Sequence, residues 1–111
     1  MMVNMAEKTG KAEGSTITKE KLDRYFSVTE RALKKVKIVK SGKIEGKDFE
    51  KHAKDFLDMA QRYFSDAVHF AQKGDIVTAF AALNYAHGWL DAGARLGLFD
   101  VDHDSELFTV D

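Results

Sequence analysis

Gly74-Asp75 constrains this chain more than any other pair of residues, because it is wedged between two long helical periods. Before it, Phe49, Ala53, Phe56, Leu57, Ala60, Tyr63, Phe64, Ala67, Val68 and Ala71 recur at three- and four-residue steps. That rhythm is one face of an amphipathic helix, expected over about residues 47 to 73. Lys51, Asp55, Asp58, Arg62, Ser65, His69 and Gln72 fall on its opposite, wet face. Residues 76 to 96 continue the helical period beyond the joint with far fewer polar positions. Glycine stops a helix because it adopts the left-handed conformation without a Cβ clash. Aspartate starts the next one because its carboxylate accepts from the amides of the first turn. A joint of two residues leaves no slack, so the helices must fold back into an antiparallel hairpin.

A third period precedes the hairpin. In "TKEKLDRYFSVTERALKKVKIVKSG" the residues Leu22, Tyr25, Phe26, Thr29, Ala32, Leu33 and Val36 share one face, which predicts a helix over about residues 18 to 40. Thr18 is its expected N-cap, with Glu20 in the first turn. Lys34, Lys35, Lys37 and Lys40 crowd the end where the helix dipole favours cations, and Ser41-Gly42 ends it. The expected fold is all-α: a three-helix up-and-down bundle over residues 16–99, dominated by the hairpin. Residues 1–15 carry no apolar period and read as a disordered leader. Residues 100–111 are acidic and then apolar, a short extended tail that packs Leu107 and Phe108 onto the bundle. The 43–47 loop leaves open whether the first helix packs on its own subunit or swaps into another.

A chain of 111 residues with 44% hydrophobic residues makes one domain with a modest core. It has no cysteine, which excludes disulfides, thiolate metal sites and cysteine nucleophiles and fits a cytoplasmic protein. The longest apolar stretch, residues 76 to 99, contains Asp91 and Arg95, so a membrane span would bury two charges in lipid. The formal net charge of −1 hides a split: residues 1–54 hold 14 Lys/Arg against 8 Asp/Glu, and residues 55–111 hold 3 against 10. Such polarity favours self-association or an oppositely charged partner, unless the helices neutralise each other within the fold.

The third helix carries the densest chemistry. Asn84, His87, Asp91 and Arg95 fall within an arc of roughly 80° on a helix that is otherwise apolar or small. As a catalytic site the arc would use His87 as acid or base, Asp91 to orient it and Arg95 to hold an anion. One helix edge supplies no nucleophile and no oxyanion donors, so these four residues read better as an exposed edge that meets a partner. Gly88 and Gly93 are a second signal, since interior glycine costs about 1 kcal/mol against alanine and wants a close neighbour in return. Packing inside one chain is the expected reason, and a symmetry mate the alternative.

Other patterns support less. Arg62 and His69 frame six residues on the second helix, a spacing that is similar to the Arg-His pair of a helical ribonuclease class, the HEPN domains. In that class, histidine serves as acid or base and arginine holds the phosphate, with two pairs brought together by a dimer. The spacing is also what any solvent-facing helix edge offers. Asp100, Asp102 and Asp104 imitate the start of a calcium loop, but Ser105 stands where glycine is needed and no exit helix follows. No metal and no cofactor is expected. The lysines between residues 34 and 47 lack arginine forks and interleaved aromatics, which makes nucleic acid an unlikely partner and leaves weak RNA binding as a minor alternative.

The run from Phe56 to Val101, with its Tyr85-Ala-His-Gly-Trp-Leu-Asp-Ala-Gly-Ala-Arg-Leu-Gly-Leu-Phe99 centre and the later "LFTV", resembles a small archaeal family, domain of unknown function 357. The resemblance spans about residues 48 to 110, with the first helix matching more loosely. It implies an archaeal origin and a small helical bundle, and it brings no activity with it. The function expected is a non-enzymatic interaction module that self-associates, as in a homodimer, or docks on another protein. A HEPN-like ribonuclease is the alternative.

Overall fold

The computed structural model describes residues 15–39 and 49–108. Three helices form: α1 over Lys19–Lys35, α2 over Phe49–Gln72 and α3 over Ile76–Leu96. Two short strands, β1 at Lys37–Ile38 and β2 at Phe99–Asp100, complete the order. The all-α bundle and its α2–α3 hairpin stand as expected. The leader, apart from Ser15, and the 43–47 loop lie outside the described residues.

The caps explain where the helices begin and end. The Thr18 hydroxyl accepts from the Lys21 amide at 3.1 Å, and the Asp75 carboxylate accepts from the Thr78 amide at 3.1 Å. Both satisfy donors that an α-helix leaves orphaned at its first turn. Gly74 and Gly97 take φ of +82° and +81°, the left-handed values that favour glycine. After α3 the Gly97 amide donates to Ala94 and the Leu98 amide to Gly93, the paired bonds of a Schellman ending. Leu98 is folded back into the core by this turn.

One expected boundary moves. The first helix stops at Lys35 rather than near residue 40, and Val36 is extended, with φ −65° and ψ 139°. The chain then pairs antiparallel with β2, Lys37 opposite Asp100 and Ile38 opposite Phe99. The Val39 amide extends the ladder by donating to the Leu98 carbonyl at 3.0 Å. The reason lies in Val36-Lys37-Ile38-Val39, where three of four residues are β-branched and stiff at χ1. Extended, they place Ile38 against the core and leave Lys37 in water.

The interior divides into two clusters. At the hairpin end Leu22, Ala67, Ala79, Phe80 and Leu83 pack together. At the open end Ala32, Phe49, Leu90, Leu98, Phe99, Val101, Leu107 and Phe108 do. Ala53, Ala60 and Ala67 stand at seven-residue spacing on α2 and are fully buried, as are Ala79 and Ala86 on α3. Such small residues let the two helix backbones of the hairpin approach closely. α3 contacts α2, α1 and β2, so it is the central helix. The tail leaves α3 through extended β2, then turns repeatedly until Leu107 and Phe108 are buried.

Candidate functional site

α3 meets α1 along its polar edge. Asn84, His87, Gly88 and Asp91 line a cleft of about 360 Å³ there, opposite Tyr25, Val28 and Thr29 of α1. His87 is half-buried in its lining. Its Nε2 lies 2.6 Å from the Leu107 carbonyl oxygen, and its Nδ1 lies 3.4 Å from the Thr29 hydroxyl. A carbonyl can only accept, so Nε2 carries the proton and donates it. Nδ1 is then left to accept from Thr29, whose side chain is buried. Asp91 Oδ1 stands 3.8 Å from Nε2, and the imidazole stacks on Phe108 at 6.2 Å. Both ring nitrogens are thus engaged in tying three elements together: α3, α1 and the tail. An imidazole used this way has no free nitrogen for proton transfer to a substrate. Arg95, one turn beyond Asp91, is exposed.

The neighbouring face of α3 is apolar and lies in water. Val77 is 70% exposed, Tyr85 54% and Leu96 51%, and Ala81, Gly88 and Ala92 between them are also exposed. This face borders a groove of about 680 Å³ between α2 and α3, lined by Tyr63, Asp66, Phe70, Ala82 and Tyr85. Tyr85 is braced by Tyr63 at 4.3 Å between ring centroids and by Trp89 at 6.4 Å. The Tyr63 phenol is raised above its ordinary value, first by loss of hydration and then by Tyr85 beside it.

The two interior glycines part company here. A Cβ on Gly93 would run into the Phe99 ring, with Cδ2 at 2.6 Å, so β2 can close over α3 only where that side chain is missing. A Cβ on Gly88 would meet nothing within 4 Å. The expectation of packing within the chain therefore holds for Gly93 and is corrected for Gly88, whose α-carbon faces outward.

Arg62 and His69 both lie on the exposed face of α2. The Arg62 guanidinium bonds the Asp58 carboxylate at 2.7 Å, which holds its protonated form more strongly still. His69 packs edge-on against Phe70 at 5.4 Å. Seven residues of helix separate the two by about 10 Å of rise, so one chain does not bring them together. Of the lysines in the basic segment, Lys35 stands 3.8 Å from Asp102 and 3.9 Å from Asp104. Part of the charge split is thereby neutralised within the fold, at small net stability for such exposed pairs. Lys40, Lys43 and Lys47 lie outside the described residues.

The acidic tail uses its carboxylates locally. Asp100 accepts from the Asp102 amide, and Asp104 accepts from the amides of Glu106 and Leu107, each at 3.1 Å. These are aspartate-capped turns, and they carry the chain through positive φ at Asp102 and His103. No three acidic or imidazole groups among the described residues converge as a metal-holding cluster. No helix among them is long and apolar enough to cross a membrane. The indole nitrogen of Trp89 is buried without a partner among the described residues, while the ring packs edge-on to Phe56 at 5.0 Å.

Sequence reasoning placed Asn84, His87 and Asp91 on one edge but missed what His87 binds. Its partner is a backbone carbonyl twenty residues on, which no side-chain pattern announces. It anticipated excess apolar surface on α3 without marking which residues form the open Val77–Leu96 face. The signal was present in the even spread of apolar residues around α3, more than two neighbours can cover.

No curated protein and no solved structure matches the chain. The family model described as "Protein of unknown function (DUF357)" matches residues 24–99, from the first turns of α1 to the start of β2, and the chain belongs to that family.

Proposed function

We propose that this protein is a non-enzymatic interaction module whose working surface is the outer face of α3. The observation that carries the reading is the exposure of Val77, Tyr85 and Leu96 on one helix face, with Gly88 and two alanines between them. Exposed large apolar residues aligned along one helix are an association surface in water. The polar edge supports the same reading from the other side, because His87 is committed to holding the tail. Asn84 and Arg95 then flank the apolar face as its polar rim.

Light scattering across a concentration series, paired with binding of an apolar fluorescent dye, tests this. Self-association, or dye binding that a Val77→Glu, Leu96→Glu double variant removes, is the expected result. A chain that stays monomeric at high concentration and binds no dye contradicts it. The ribonuclease alternative requires two copies to juxtapose Arg62 and His69, and it fails if Arg62→Ala leaves RNA cleavage unchanged.

A further inference from the structure

The groove between α2 and α3 holds a carboxylate among aromatic rings. Tyr63, Asp66 and Phe70 line it from α2, and Ala81, Ala82 and Tyr85 from α3. Asp66 follows Tyr63 by three residues and precedes Phe70 by four, the two steps that bring side chains together on one helix face. The carboxylate is thus separated from one ring by about 4.5 Å of helix rise and from the other by about 6 Å. Tyr85 closes the Tyr63 end, with the two ring planes at 64°. The Tyr63 phenol is raised first by loss of hydration, then by Tyr85, and also by the charge of Asp66, so the carboxylate's field reaches this wall.

Charge separates this groove from a plain apolar one. No lysine, arginine or histidine lines it. Among the described residues, no cationic group stands within ion-pair distance of Asp66. Asp58, two turns earlier on the same helix, is by contrast held by Arg62 at 2.7 Å. The groove therefore presents one uncompensated negative charge beside electron-rich rings.

We propose that this groove is a binding site for a small organic ammonium ion. Such an ion is drawn to aromatic rings by their quadrupole and to Asp66 by its charge. Its alkyl groups would cover Ala81 and Ala82, which water now wets. A bare metal ion finds one carboxylate here and no converging acidic or imidazole partners. A neutral apolar molecule gains nothing from Asp66, and an anion is repelled by it. The volume of about 680 Å³ is that of a small-molecule site. The site goes beyond the association reading and does not depend on it.

Choline serves as the probe, and neohexyl alcohol is its uncharged counterpart of nearly the same shape. Titrated into isotope-labelled protein and followed by nuclear magnetic resonance, choline should shift the amides of Asp66, Ala82 and Tyr85 saturably. The alcohol should bind about tenfold more weakly, as should choline to Asp66→Asn, a change at an exposed position. Tyr85→Leu keeps apolar bulk and removes the ring, so it should weaken choline several-fold and leave the alcohol unaffected. Unchanged circular dichroism shows that each variant is folded. Equal affinity for choline and the alcohol overturns the site, as does choline binding that neither variant weakens. So does the absence of saturable shifts at the groove. Each of these failures leaves the association reading to its own test by light scattering.

Discussion

Gly93 and Gly88 lie five residues apart on the same helix, and their surroundings are opposites. Gly93 is buried under the Phe99 ring, at the point where β2 crosses α3. Gly88 is exposed in the α1–α3 cleft, with nothing within 4 Å of where its Cβ would be. The first glycine is accounted for by the fold: its cost in helix propensity is offset by a phenyl ring packed against the backbone. The second bears the same cost with no return inside the chain, about 1 kcal/mol that an alanine would recover. The difference teaches where the folded unit ends. Around Gly93 the helix serves the core, and around Gly88 it borders an open cleft.

Substitutions at the two sites should sharpen the contrast. The largest effect belongs to the ring itself. Phe99→Ala should cost about 3–5 kcal/mol in denaturant unfolding, since it empties the centre of the open-end core. Gly93→Ala should cost about 1–3 kcal/mol, and much less in a Phe99→Leu background, because the clash then has no ring to meet. Equal costs in both backgrounds would show that Phe99 is not the reason for the glycine. Gly88→Ala should do the reverse and raise stability by about 0.5–1 kcal/mol, measured at a dilution where the chain is monomeric. A loss there would mean that the site is packed within the chain after all.

The smallest effect is spectroscopic. Tyr63 titrates above the ordinary tyrosine value of 10.0 because it is shielded from water and lies beside Tyr85. A raised phenol favours the neutral form when folded. Its contribution to stability is therefore full below the unfolded value and is lost as pH climbs through the folded one. In an alkaline ultraviolet titration, Tyr85→Phe should bring Tyr63 back toward its ordinary value. No movement would separate the two rings and weaken the picture of a braced Tyr85.

Much of this was legible in the sequence, and the reasons differ by element. α2 and α3 were plain because long apolar periods average over many residues, and Gly74-Asp75 and Gly97 punctuate them with unambiguous chemistry. The end of α1 was not, because lysines between Lys34 and Lys40 suit a helix C-terminus as well as they suit a strand edge. The β-branched run at Val36, Ile38 and Val39 was the local hint. What decided it was pairing with Phe99, a contact more than sixty residues away that no local pattern holds. His87 shows the same limit. Its spacing to Asp91 suggested an acid–base pair, whereas its hydrogen bond goes to the carbonyl of Leu107. The outer face of α3 was readable as excess apolar surface, but its exposure could be known only once α1 and α2 had taken their places.

Sedimentation equilibrium of the wild-type chain beside the Val77→Glu, Leu96→Glu variant tests the central claim most directly. The account predicts a reversible dimer for the wild type and a folded monomer of unchanged helicity for the variant. A wild-type chain that sediments as a monomer at every concentration and binds no apolar dye, or a variant that dimerises as tightly as the wild type, would contradict it.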